Sequence, residues 1–130
     1  MTHTYFIGYD AREMLAAGVC AFTIRKRSSA PVRIYMLEHR ALRRLKLFDR
    51  PWRIDTNGQF VDHRDRKPFS TEFSHSRFLV FHLAKRMGIK WPCMFVDCDW
   101  MFLRDPAPVM DRQEQAQPGR IGVVRRTRKV

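Results

Sequence analysis

The sequence predicts an α/β domain built on a mainly parallel sheet with helices against it. Two observations carry this. Strand-like and helix-like patterns alternate from Thr4 to Leu47, and an apolar strand pattern at Trp91 to Asp97 ends in acid.

Thr4 to Tyr9 (TYFIGY) is aromatic and β-branched, the pattern of a short buried strand. It runs into Asp10, a residue suited to cap a helix. From Ala11 to about Arg27, the residues Met14, Leu15, Gly18, Val19, Phe22 and Ile24 approximate helical spacing. They predict one apolar stripe on the sheet, with Ser28 to Pro31 as the stop. Val32 to Leu37 reads as a second strand. A short basic helix follows around Glu38 to Leu47, with Leu42, Leu45 and Leu47 as its apolar positions.

Phe48 to Phe69 is rich in charge and proline, which predicts a long loop holding a small hairpin across Asn57-Gly58. Ser70 or Thr71 can cap a helix running to about Met87, and Gly88 can end it. Beyond Asp105-Pro106 the chain turns polar and rich in Gln and Arg. The expected division is therefore an α/β domain over 1–105 and a basic tail over 106–130, poorly ordered or holding one edge strand at Ile121 to Val124.

Composition bounds the function. The 130 residues, 45% hydrophobic, suffice for one domain with a real core. Twenty-five Lys and Arg against 13 Asp and Glu give a formal charge of +12, which favours anionic partners: nucleotides, nucleic acid or an acidic lipid surface. Most of these cations are expected to be solvated surface. Cys20, Cys93 and Cys98 are odd in number and lack CxxC spacing, which predicts reduced thiols and a cytoplasmic location. No apolar run has the length of a membrane span, and Met1 to Asp10 lacks the layout of a secretory signal.

The segment Met94 to Leu103 (MFVDCDWMFL) holds the candidate chemistry. In an extended chain, residues two apart project to one side about 6.5 to 7 Å apart. Asp97 and Asp99 are therefore expected to converge on one divalent cation, Mn2+ or Mg2+, whose shell is completed by water and substrate phosphates. Asp10 sits at another strand end, where open α/β sheets bind ligands. The competing reading of Asp97 and Asp99 is an ordinary turn.

Three segments together resemble GT-A-type glycosyltransferases with a DxD motif, in particular family-eight-like bacterial sugar transferases. They are FIGYDARE at Phe6 to Glu13, STEFSHSRFLVFHLA at Ser70 to Ala84, and FVDCDWMFLRD at Phe95 to Asp105. The resemblance covers about residues 4 to 105 and implies the Rossmann-like, nucleotide-binding half of a GT-A fold. It also implies a donor-binding domain for glycosyl transfer, with a UDP-sugar as donor and the acceptor unassigned. Asp97 and Asp99 would hold the metal. Ile7, Gly8, Tyr9, Asp10, Ser74, Arg77 and Cys98 would surround the nucleotide-sugar, with Arg77 contacting it directly.

Gly8 has an alternative reading as close strand packing, and Arg77 as a surface ion pair. His75 and His82 receive no role. No catalytic base or nucleophile is readable. Members of that family continue well past the DxD strand, so the sequence-level expectation is an incomplete chain of doubtful activity alone. A phosphatase of the haloacid dehalogenase type fits poorly, because Trp100 and Met101 follow the second acid. The alternatives of another class are a basic nucleic-acid-binding module, which no recognisable motif supports, and a non-catalytic remnant.

Overall fold

A computed structural model describes residues 1–90 and 92–115. Its elements are β1 (His3–Gly8), α1 (Met14–Arg27), β2 (Val32–Leu37), α2 (His39–Arg44), β3 (Trp52–Ile54), β4 (Phe60–Asp62), β5 (Pro68–Phe69), α3 (Val80–Arg86), β6 (Cys93–Asp97) and α4 (Ala107–Gln115). Short 3-10 turns at Ala11–Glu13 and Ser76–Leu79 lead into α1 and α3.

The main sheet is parallel, in the order β2-β1-β6. This bears out the mixed α/β expectation at the level of architecture. β1 is buried on both faces because it is the central strand and both faces are covered. Its alternating side chains serve two cores. Tyr5 and Ile7 pack with Ala17, Cys20, Ala21 and Ile24 of α1, while Phe6 packs with Leu37, Leu42 of α2, and Val80 and Leu83 of α3. A second, antiparallel sheet, β3-β4-β5, occupies most of the predicted long loop. Its hairpin turns at Asn57-Gly58, with Gly58 at φ +77° and Asp55 Oδ1 accepting from the backbone N–H groups of Asn57 and Gln59.

Several expectations need correction. The stripe read for α1 is turned the wrong way: Ala17, Cys20, Ala21 and Ile24 are buried, whereas Met14, Leu15, Val19 and Phe22 face outward. The helix is apolar around most of its circumference, so periodicity alone does not fix the buried side. The small Ala17, Cys20 and Ala21 let it lie close on the sheet. The helix expected from Ser70 or Thr71 begins only at Ser76, because Thr71 to Ser74 forms its own turn: Ser74 N–H donates to Thr71 O, and Thr71 N–H donates to Ser74 Oγ. Gly88, at φ +63°, does end α3.

Residues 107–115, expected to be poorly ordered, form α4. That helix is pinned by buried Ala107 and Met110 and by an Asp111 contact to buried His3 at 3.0 Å. The edge strand expected at Ile121 to Val124, and Trp91 at the start of the predicted last strand, lie outside the described residues.

His39 joins the two sheets. Its ring lies against Phe48 and Trp52, and the Trp52 indole N–H donates to His39 Nε2 at 2.8 Å. Burial, then the nearby Arg43 and His75, push the imidazole down to about 4. The folded pKa lies below the unfolded one, so the unfolded chain binds more protons between about pH 6.5 and 4. The stabilisation is complete above pH 6.5 and is lost as pH falls toward 4. Urea titrations should show a loss of about 2 kcal/mol between pH 7 and 5, at 1.36 kcal/mol per pKa unit. His39→Gln should remove most of that slope; an unchanged slope would show that the ring is not held neutral.

Candidate functional site

The carboxyl ends of β1 and β6 lie side by side, with Gly8 in register with Asp97. From β1 the chain crosses through α1 to β2 on one side, whereas β6 arrives on the other side after α3. The β1/β6 junction is therefore the place where strand order reverses, the position at which open α/β sheets leave a crevice for ligands.

Asp10 does not project into that crevice. It is fully buried and caps the turn into α1, accepting from the backbone N–H of Arg12 at 2.9 Å and from Arg12 Nη2 at 2.7 Å. It also accepts from the Glu72 backbone N–H at 3.1 Å, which ties the 70–73 loop to the end of β1. Burial alone would raise its carboxyl, but these Arg12 and Glu72 contacts hold it below the usual range. Arg12 is fixed as well, donating to Ser70 O at 2.7 Å and lying 4.2 Å above the Phe60 ring.

Gly8 is explained by packing. A Cβ there would meet the Phe73 ring at 2.5 Å. Ile7 is core, and Tyr9 is partly buried against the α1-side cluster. The Ser74 hydroxyl pairs with the Thr71 hydroxyl at 3.0 Å. Ser74 and Arg77 do not share a helix as expected, because Ser74 falls in the turn before it.

The geometry expected of Asp97 and Asp99 also changes. β6 stops at Asp97, and the chain turns at once, with Trp100 N–H donating to Asp97 O at 3.2 Å. The extended-chain argument for two side chains on one face therefore fails, although the outcome retains part of it: Asp97 is half-exposed, Asp99 is exposed, and Cys98 between them is fully buried. The Cys98 thiol donates to Glu13 Oε2 at 3.0 Å, and burial, Glu13 and Asp99 push it up to about 12. Held in this way, the Cys98 side chain faces the interior.

Arg77 lies beside Asp97 at this junction, with Nη1 3.7 Å from Asp97 Oδ1. Its guanidinium lies 5.3 Å from the Phe73 ring centre and 5.6 Å from that of Phe95, and its Nε is buried without a hydrogen-bond partner. Sequence reasoning missed Phe73, which shapes both Gly8 and Arg77, and Glu13, which anchors Cys98. The spacing Asp10-x-Arg12 was the one readable hint that Asp10 is spoken for within the protein.

Two hard carboxylates at the end of a strand match the oxygen donors that magnesium or manganese takes, with water and phosphate filling the other positions. The protein's own contribution stops there: among the described residues, no group of three or more His, Cys, Asp or Glu is placed to hold a metal ion.

Comparison with known proteins gives one informative relative. The chain is 44% identical over 106 residues to Protein CDI of Arabidopsis thaliana, an alignment taking in 82% of this chain and 35% of that protein. The chain thus spans about a third of the length of the relative it matches. No family model matches the sequence, and no solved structure matches it.

The resemblance to GT-A-type DxD glycosyltransferases is corrected by these findings. The relative carries no glycosyltransferase name, and no assembled metal centre stands at Asp97 and Asp99. A mixed α/β chain with a three-stranded parallel sheet stands in place of a demonstrated GT-A fold. Among the described residues, no helix is long and apolar enough to cross a membrane.

Proposed function

We propose that the crevice at the β1/β6 junction binds a nucleotide-diphosphate sugar, with Asp97 and Asp99 taking a divalent cation against the diphosphate. The observation that carries the reading is the pairing of Arg77 with Asp97 at a point of strand-order reversal. There, a carboxylate and a guanidinium with unspent donors stand together.

A cation bound there would neutralise charge developing on a diphosphate leaving group as a glycosyl bond breaks. Arg77, stiffened between Phe73 and Phe95, would donate to phosphate oxygens without first losing much side-chain freedom. Tyr9, which follows Gly8 at the end of β1, would supply a ring for the nucleoside. Asp10 contributes indirectly, by holding the 70–73 loop so that Phe73 and Arg77 keep their places.

Calorimetric titration of UDP with and without Mn2+ tests this. Binding should require the metal and weaken at least about tenfold, or about 1.4 kcal/mol, in Asp97→Asn/Asp99→Asn. Arg77→Ala should weaken it while leaving the metal requirement intact. Failure of the native chain to bind, or metal-independent binding that survives the double substitution, would remove the proposal and favour a non-catalytic protein.

A further inference from the structure

The outward face of α1 is apolar where a surface helix is ordinarily polar. Leu15 is 82% exposed and Phe22 59%, with Val19 between them. A second row lies alongside. The chain from Cys98 to Asp105 runs the length of α1, tied to it by the Cys98 thiol on Glu13, by Phe102 N–H donating to Thr23 Oγ1 at 3.1 Å, and by Ser29 N–H donating to Asp105 Oδ1 at 3.1 Å. This segment exposes Trp100, Met101 and Leu103, the last at 68%. Two parallel rows of large apolar side chains therefore share one face.

Charge is distributed unevenly around this face. Arg25, Lys26 and Arg27 close the helix end beside Phe22, and Lys26 Nζ lies 5.5 Å from the Phe22 ring centre. Arg104 follows Leu103, and all four cations are exposed. Of the nearby acids, Glu13 and Asp99 lie toward the opposite end, at the β6 turn, the Asp105 carboxylate is occupied by Ser29 and Ala107, and Asp111 of α4 is paired with His3, which leaves Glu114 of α4 as an exposed acid beyond Asp105. Gly18 sits in mid-helix with nothing within 4 Å of a Cβ, so no interior contact requires it.

From this arrangement we infer that the α1 face is a docking surface for an anionic lipid bilayer. Protruding Leu, Phe, Trp and Met bordered by Arg and Lys is the chemistry of shallow insertion at a headgroup boundary, where apolar burial and attraction to acidic lipid add. The chain's +12 charge acts in the same direction. Trp100, at one end of these rows, adjoins the Asp97 turn, whereas Phe22 and Leu103 lie toward the other end of α1. The inference stands apart from the proposed nucleotide site.

Sedimentation of the native chain with phosphatidylcholine vesicles, alone and mixed with phosphatidylserine, tests it. Binding should require phosphatidylserine. Each cation near such a surface is worth about fivefold in binding, so Arg25→Gln/Lys26→Gln/Arg27→Gln should weaken it about 100-fold. Phe22→Ser/Leu103→Ser should weaken it at least about tenfold with charge unchanged. The control with equal charge change, Arg40→Gln/Arg44→Gln/Lys46→Gln on the opposite face of the sheet, should have little effect, and Asp97→Asn/Asp99→Asn, which removes two anions beside Trp100, should not weaken binding.

Equal losses in both charge-neutralised variants, with none in Phe22→Ser/Leu103→Ser, would reduce the binding to undirected electrostatics and overturn the inference. So would absence of sedimentation. A dimer seen by light scattering, abolished by Phe22→Ser/Leu103→Ser in a chain that ignores vesicles, would overturn it in favour of a contact between two copies.

Discussion

Asp10→Ala should lower the unfolding free energy by about 3 kcal/mol, the largest effect expected of any single polar substitution in the main domain. The carboxylate is fully buried and serves three structural tasks. It caps the turn into α1, pairs with Arg12, and accepts from the Glu72 backbone N–H across the chain. Removing it leaves two backbone N–H groups short of an acceptor and frees Arg12 from a position built around it. Asp10→Asn keeps a capping oxygen and loses mainly the charge, so its cost should be smaller, about 1 kcal/mol. Urea unfolding of the two variants checks this ordering. If Asp10 instead served a ligand directly, both variants would unfold like the native chain and differ only in nucleotide binding.

Gly8→Ala should cost about 1 to 3 kcal/mol, the range for added bulk in a filled core. The Cβ would press on the Phe73 ring at 2.5 Å and 2.6 Å, well inside normal contact. Phe73 also lies beneath Arg77, so the displaced ring would carry the guanidinium away from Asp97. Thermal unfolding should show the loss, and Phe73→Leu in the same chain should recover part of it, a coupling that neighbouring residues show and distant ones do not. Additive losses in the double variant would mean that the ring yields without strain.

The parts of this fold that were readable were those set by a single local rule. The apolar runs read at residues 4–9 and 32–37 and the run ending in Asp97 became strands, Asp10 obeyed capping chemistry, and Asn57-Gly58 obeyed the demand of a tight turn for a positive φ. What could not be read depended on contacts distant in sequence. The buried side of α1 was decided by how closely Ala17, Cys20 and Ala21 let the helix approach β1, which no period within the helix reveals. α4 depends on Met110 entering the core and on His3 at the far end of the described chain.

The site divides along the same line. That acidic residues would stand at strand ends was legible; that Asp10 would be consumed internally, and that the chain would turn at Asp97 and send Cys98 inward, was not. The family-level resemblance rested on short segments in order, and neither the relative nor the arrangement at Asp97 and Asp99 sustained it.

The pairing of β1 bears on how the chain reaches this state. Its first strand is complete only when its last arrives, since Thr4 lies in register with Cys93, about 90 residues later. During synthesis at about 5 to 20 residues per second, the hydrogen-bonding edge of β1 that β6 will occupy stays open for several seconds. Such a wide separation of partners slows closure of the sheet. Through that interval β1, buried along its whole length in the finished fold, has one neighbour, β2, and one free side, so the nascent chain is open to mispairing until residues 93–97 emerge.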